Sequence, residues 1–404
     1  MTGQARGDGA ADEAQVAPAF DVIVVGGGPV GLAAAIGARM AGFSVVVIEP
    51  RSRPLDKACG EGLMPGAVAE LERLGVAVHG HPIAGITYRQ AHGPRFASHT
   101  FARAAGMGVR RIELSRALTA RATESGARFI DAKVMAVSQD ARGVTVSLSG
   151  GSGIRGLWLL GCDGLHSPVR RMVGLEAAPR TGGSARRYGV RQHFRVAPWS
   201  ANVEVYWARD CEVYVTPVDV ERVGVAILGG KGLDLAQTIA GVPELVAHLG
   251  EAQPDSAVRG AGPLRQRTRR GGPSCGSRHS AGRVLLAGDA SGYVDALTGE
   301  GLRIGFAQAA GAVAAIRAGS ARAGAATPDA SGVVAASTQN AAAGTDPAAV
   351  CRRYEHAWLA ASRRADVLTG ALLTLAHSPL RPAIVPIAAA LPALFGSIVE
   401  RITR

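Results

Sequence analysis

Three glycines in the spacing G-x-G-x-x-G, Gly26, Gly28 and Gly31, follow the apolar run Asp21-Val22-Ile23-Val24-Val25 and precede a small-residue stretch reaching Met40. Residues of this type and spacing can hold a diphosphate. The first glycine permits a tight turn, the second lets backbone N–H groups approach the anion, and the third lets helix and strand pack closely. Pro29 opens the helix, where its missing N–H costs nothing, and the N-terminal end of the helix dipole stabilises negative charge. Glu49 ends a second β-branched run 23 residues beyond Gly26, and Arg51 follows it. A carboxylate there accepts both hydroxyls of an adenosine ribose and disfavours a 2′-phosphate. The plainer reading is a structural turn beside a solvated glutamate, in a chain that has 54 glycines. The complete strand, turn, helix and strand context favours dinucleotide binding.

Those residues need a scaffold. Residues 21–49 read as strand, glycine turn, helix and strand, with Gly42 stopping the helix. Residues 62–74 read as helical, and 80–104 as a short antiparallel excursion containing Ile86-Thr87-Tyr88 and Phe96 to Phe101. Leu114 to Ser125 reads as a helix with Leu114, Leu118 and Ala122 on one face, followed by a small meander. Between 186 and 280 the runs Val190 to Val196, Val203 to Trp207, Glu212 to Val218 and Val223 to Leu228 alternate with Pro, Asp and Gly. That punctuation predicts a separate antiparallel sheet. Arg283 to Ala287 restores a buried strand and Gly301 to Arg317 an Ala-rich helix, so the first unit is completed by distant sequence.

A chain of 404 residues suits two interleaved domains, since most domains hold roughly 100–200 residues. Hydrophobic residues make up 47% and charged residues 19%, the balance of a folded protein with room for a large buried pocket. The net charge of +12 comes almost wholly from arginine, with Lys57, Lys133 and Lys231 the only lysines. The arginines are scattered, without the stripe and interleaved aromatics of a nucleic-acid surface, so no nucleic-acid partner is expected. Cys59, Cys162, Cys211, Cys275 and Cys351 are widely spaced with no C-x-x-C pair, which argues against a metal site or a disulfide framework. Residues 1–19 carry Asp8, Asp12 and Glu13 and lack a signal-peptide apolar stretch, so a cytoplasmic location is expected.

Two further strings make the chain resemble para-hydroxybenzoate-hydroxylase-type monooxygenases and geranylgeranyl-reductase-like flavoproteins. One is Asp163-Gly164-Leu165-His166-Ser167-Pro168-Val169-Arg170, matching D-G-x-x-S-x-x-R. The other is Gly288-Asp289-Ala290-Ser291-Gly292 followed by Thr298-Gly299-Glu300-Gly301. The resemblance implies non-covalent FAD, with Gly26, Gly28, Pro29, Gly31, Glu49 and Arg51 on its ADP half and Asp163 near the flavin. It also implies that Asp289 bonds the ribityl chain and that backbone N–H groups from Gly299 through Gly301 to Leu302 face the reduced flavin's pyrimidine edge. Arg111, in the family's R-x-x-L position, would contact the cofactor; an ordinary surface arginine is the other reading.

The expected fold is α/β. A Rossmann-type FAD-binding domain, a parallel sheet with a β-meander, is assigned to 20–78, 105–180 and 281–317. It is interleaved with an antiparallel-sheet substrate domain at 79–104 and 181–280. Residues 1–19 are expected to be a disordered tail, 318–349 a flexible linker poor in large apolar residues, and 350–404 a C-terminal helical segment.

Within the resemblance, Gly292 and the T-G-E-G string favour the reductase-like branch, where aromatic hydroxylases hold His and Gln. Lys57-Ala58-Cys59-Gly60-Glu61-Gly62 is similar to that branch's K-x-C-G-G segment, with Glu61 replacing a glycine. Cys59 is therefore the candidate catalytic residue, against the blander role of a small buried group. His193, Tyr214 and Pro217 are the other pocket candidates, with Arg191 and Trp207 behind them. A halogenase is disfavoured because W-x-W-x-I-P is missing, the nearest stretch being Tyr206-Trp207-Ala208-Arg209.

The leading expectation is an NADH- or NADPH-driven monooxygenase that uses molecular oxygen to hydroxylate or epoxidise a hydrophobic polyketide, aromatic or isoprenoid product. A reductase of isoprenoid double bonds and a flavin-bound cyclase or structural relative without redox turnover are the alternatives. Leucines and isoleucines between 368 and 394 either pack the C-terminal helices onto the FAD domain or form a peripheral membrane surface.

Overall fold

The structure, a computed structural model, describes residues 19–177, 186–264, 278–323 and 346–403. The tail expected over 1–19 lies outside the described residues except for Ala19, and so does the 324–345 part of the expected linker. The helices on either side reach into that linker, because Gly301–Ala323 continues past Arg317 and the next helix begins at Pro347. Alanine sustains the first of these helices. The second is started by Asp346, whose side chain accepts from Ala348 N at 2.9 Å, with proline in the first helical position.

The first sheet is ordered Ser280–Ala281, Val284–Leu286, Gly153–Gly161, Phe20–Val25, Val45–Ile48, Arg128–Ile130. Its central pairs are parallel. The meander strands Val134–Gln139 and Val144–Leu148 hang from Gly153–Gly161 in antiparallel pairing. Val22 to Val25 and Val45 to Ile48 are buried on both faces, which is why they read as continuous apolar runs. Helices Pro29–Met40, Arg111–Glu124 and Gly301–Ala323 cover one face with Leu32, Ile36, Leu118, Phe306 and Ile316. Three of the four central strands lie within residues 20–161, but Val284–Leu286 arrives late in the chain and completes them.

The second sheet is ordered Arg259–Ala261, Tyr188–Arg195, Arg222–Gly229, Cys211–Pro217, Asn202–Trp207, Gly85–Gln90, Phe96–Thr100. It is antiparallel apart from one pair: Gly85–Gln90 runs parallel to Asn202–Trp207. That pair joins strands more than a hundred residues apart, so no hairpin imposes antiparallel direction. Alternation divides the sheet. Val213, Val215, Val225 and Tyr206 pack on Leu235, Ile239 and Leu245 of two short helices, while the intervening residues face the first domain. Part of the stretch expected as helix over 62–74 is strand: Gly62–Leu63 pairs with Gly106–Gly108, and the helix spans Pro65–Arg73.

The C-terminal residues form a helix from Pro347 to Ala376, a short turn, and two helices over Ile384–Ala390 and Pro392–Thr403. Tyr354 donates to Leu286 O and Trp358 Nε1 to Ser291 Oγ at 2.8 Å, which ties the long helix to the first domain. Among the described residues no single helix is long and apolar enough to cross a membrane.

Candidate active site

The glycine turn shows what each glycine is for. Gly26 has φ +108, and a Cβ there would lie 2.4 Å from Cys162 O. At Gly31 a Cβ would meet Gly26 O at 1.9 Å, so helix and turn touch through backbone alone. Gly28 has nothing within 4 Å of the Cβ position and faces the large cavity between the sheets. The amides of Val30 and Gly31 are first-turn donors without an intrahelical acceptor. Glu49 is 1% exposed and accepts from Gly27 N at 2.9 Å, Arg51 Nε at 2.7 Å and Arg51 Nη2 at 3.0 Å. Burial pushes its carboxyl up, but the Arg51 and Gly27 hydrogen bonds outweigh that and hold it below the usual carboxylate range.

The cavity measures about 290 Å³. Its floor is built from Gly28, Pro29, Arg51, Arg111, Asp163, Asp289, Gly299, Gly301 and Leu302, nine of the expected cofactor residues gathered from six separate stretches of sequence. Gly26, Gly31 and Glu49 stand behind the floor and shape it. Asp163 Oδ2 accepts from Val169 N at 2.9 Å, whereas buried Asp163 Oδ1 and Arg111 Nε have no hydrogen-bond partner among the described residues. Burial raises the Asp163 pKa. Two members of the D-G-x-x-S-x-x-R string do not line the cavity. Ser167 caps a helix by accepting from Arg170 N at 2.8 Å, and fully buried Arg170 donates to Ala290 O at 3.0 Å and Leu165 O at 3.1 Å. Arg170 thus fastens the two motif loops to each other. Of the expected amide donors, Gly299 N is spent on Ala296 O at 3.1 Å, while Gly301 and Leu302 open the helix that follows.

The roof is the inner face of the second sheet. Cross-strand neighbours Arg191, Ala226, Tyr214, Val205 and Tyr88 form one row over the cavity. Ala226 is small and leaves the hollow. Tyr214, as expected, lines it, and its hydroxyl donates to Leu297 O at 2.8 Å. Burial raises the Tyr214 pKa well above its ordinary value, so the phenol stays neutral.

Two pocket expectations are corrected. Pro217 is out of phase with Tyr214 and Thr216, and its carbonyl lies against Gly108 instead of the cavity, leaving room there only for a glycine. His193 is in phase but is covered by Glu61, to whose Oε2 its Nε2 bonds at 2.6 Å. Trp207 does not line the cavity; its ring packs on that of Tyr88 at a centroid distance of 5.5 Å. Cys59 does line the cavity, half-buried, with its Sγ accepting from Glu61 N at 3.4 Å.

Glu61 was visible in the sequence only as a departure from the K-x-C-G-G pattern. It has φ 60, the one positive-φ residue other than glycine among the described residues, which explains the glycine common at that place. Its Oε1 accepts from Arg111 N at 2.7 Å, and Arg191 Nη2 stands 3.4 Å away while bonding Asp56 at 2.7 Å. The sequence reading also missed Tyr88, Val205 and Ala226, which period-two alternation along their strands could have flagged once one residue of the row was placed.

The FAD binding domain family matches residues 19–324. The chain belongs to that family. Three curated relatives carry three different activities by name. A menaquinone reductase of Mycobacterium tuberculosis (strain ATCC 25618 / H37Rv) is 37% identical over 168 residues, 38% of this chain and 40% of the relative. A dialkyldecalin synthase of Streptomyces rugosporus is 30% identical over 304 residues, 71% of this chain and 63% of the relative. A 12-dehydrotetracycline 5-monooxygenase/anhydrotetracycline 6-monooxygenase of Streptomyces rimosus is 28% identical over 323 residues, 72% of this chain and 61% of the relative. The chain therefore spans less than two thirds of each. The crystal structure of Klebsiella pneumoniae HpxO complexed with FAD and uric acid superposes with a TM-score of 0.71 at 20% identity, covering 95% of this chain and 96% of that one, a likeness of fold.

Proposed function

We propose that the chain holds FAD along the cavity floor and acts as an FAD-dependent oxidoreductase on a hydrophobic small molecule, in the first place as a monooxygenase driven by NADH or NADPH. The observation that carries this reading is the large cavity whose floor gathers Gly28, Arg111, Asp163 and Asp289 beneath a largely apolar roof. The fit to FAD rests on the open cradle at Gly28, the buried carboxylate behind it, and Asp163 and Arg111, which line the same space and each keep one buried polar atom, Oδ1 and Nε, without a hydrogen-bond partner among the described residues. The first-turn amides after Gly28 would hold the diphosphate, and Glu49, sharing its oxygens with Arg51, the ribose. Asp289 would take the ribityl chain, and the amides of Gly301 and Leu302 the negative charge of the reduced ring. Bound FAD would supply hydride acceptance from a nicotinamide and then either reaction with dioxygen or hydride delivery to an activated double bond.

The protein's own part is positioning and the exclusion of water. Val205, Tyr88 and Tyr214 close the roof with apolar surface, and Ala226 leaves space for a substrate against the floor. A dry site serves both the oxygenase and the reductase chemistry. The tetracycline monooxygenase relative, matching 72% of this chain, favours the first. The dialkyldecalin synthase relative, matching 71%, keeps a cyclase without redox turnover as the second reading.

NADH and NADPH oxidation by the yellow holoprotein, compared under air and under nitrogen, separates them. A monooxygenase consumes reductant and dioxygen together and places oxygen in the product. Anaerobically reduced flavin reoxidised by air no faster than free flavin, with no oxygen in the product, would sink that reading. Failure of NADH, NADPH and reduced ferredoxin alike to bleach the yellow protein would favour the cyclase.

A further inference from the structure

A second, smaller pocket of about 40 Å³ shares Gly288, Asp289, Tyr293, Thr298 and Gly301 with the large cavity, so the two meet at the loop that would face the flavin ring. It is large enough for water. Glu300 lines it and is 2% exposed. One carboxylate oxygen pairs with Arg303 Nε, and the other, Oε1, has no hydrogen-bond partner among the described residues. A buried carboxylate oxygen left without a donor is costly when charged, and a proton on it removes that cost. Burial, only partly offset by Arg303, pushes the Glu300 carboxyl up to about 7.

Among the described residues none that lines the pocket is a cation. Asp366 faces the pocket from the long C-terminal helix, and its carboxyl is also raised by burial. Asp289 reaches it from the short 3-10 turn, and Tyr293 and Asp295 from the loop beyond; Asp295 is itself paired with Arg187 at 3.1 Å. Arg303 reaches Glu300 from outside the pocket lining, which itself carries four acids, and any negative charge added across the shared wall makes an ionised Glu300 harder to keep.

We propose that Glu300 is the site of proton uptake coupled to reduction of the cofactor in the adjoining cavity. The inference rests on the FAD reading and deepens it. Two electrons and one proton, delivered together as hydride, add one negative charge to the cofactor. The Glu300 carboxylate then takes one proton from solvent through the small pocket and becomes a neutral acid, so that net charge is unchanged. Reoxidation returns that proton. By linkage, whatever reduction does to the affinity of Glu300 for a proton, protonation does in the same measure to the ease of reduction.

Infrared difference spectroscopy of the FAD-loaded protein at about pH 8, just above the Glu300 range, reads this directly. Reduction by dithionite should create one carboxylic-acid carbonyl band that shifts in deuterium oxide. Glu300→Gln should abolish the band while leaving FAD bound, and Asp366→Asn should keep it. Proton uptake per two electrons, followed with a pH indicator, should fall by close to one proton in Glu300→Gln. A band that persists in Glu300→Gln, or no band in the yellow wild-type protein, would overturn the assignment to Glu300 alone. A wild-type protein that stays colourless with FAD would overturn the cofactor reading beneath it.

Discussion

Gly28 and Gly31 are three positions apart, yet a side chain would act on different properties at each. At Gly31 an added Cβ collides with backbone, so Gly31→Ala should destabilise the apoprotein by about 1–3 kcal/mol, read as a lower Tm. At Gly28 the space is open, so Gly28→Val should keep the apoprotein's Tm and weaken FAD binding at least about tenfold by calorimetry. Equal losses of stability in both variants would contradict this division. Glu49 adds a pH dependence. Its folded carboxyl lies below the usual range, so its interactions contribute stability above the unfolded carboxylate pKa and lose it as pH falls through the lowered folded value. Glu49→Gln should flatten that acid limb in a series of melting curves from about pH 3 to 7.

At the scale of the element, the roof row makes a separate claim about Ala226. Ala226→Leu places a branched side chain in the hollow between Arg191 and Tyr214, away from the floor. FAD affinity should be unchanged, and the KM for any large apolar substrate should rise by about an order of magnitude or more, on the order of 1.4 kcal/mol. Loss of flavin from this variant would mean that the roof and floor are misassigned. The elements were legible in the sequence to unequal degrees. Strands such as Val22 to Val25 announce themselves because burial on both faces demands an unbroken apolar run. On the floor, Gly28 was legible because a diphosphate requires glycine at fixed spacing, whereas Arg111, Asp163, Asp289, Gly299, Gly301 and Leu302 came only through the resemblance to known flavoproteins. The roof was not, since Tyr88 and Val205 differ from any half-buried strand residue only by which partner strand lies beside them, and pairing is a property of the fold. Pro217 failed for the complementary reason: a motif likeness gives position along the strand but not its phase. Glu61 shows a third limit, where a departure from the family pattern proved to be the centre of a buried hydrogen-bond cluster.

For the whole molecule, Arg381 joins the C-terminal segment to the second sheet. Its guanidinium bonds Ala208 O at 2.8 Å and Cys211 O at 2.7 Å, pairs with buried Glu212 at 2.7 Å, and lies over the Trp207 ring. Arg381→Ala leaves Glu212 with Arg187 as its remaining cation and should cost on the order of a few kcal/mol of stability in a denaturant titration. Leu380, Ile387, Leu391 and Leu394 of the same segment are about half exposed. The same segment buries Ile384 and Val385 with Val203, Val205 and Trp207, and Phe395 and Val399 with Ala97, so its helices pack onto the second sheet.

The parallel pairing of Gly85–Gln90 with Asn202–Trp207, together with the late arrival of Val284–Leu286 beside Gly153–Gly161, bears on how the chain is made. Neither sheet can close from one contiguous stretch. During synthesis the ribosome must release the chain well past Leu286 before the first sheet has all its central strands, and until then unpaired strand edges remain open to other chains. High contact order of this kind slows folding, and it puts a premium on chaperones that shield the emerging N-terminal half. Cutting the chain between its two units would therefore give two fragments that each lack strands, rather than two working pieces.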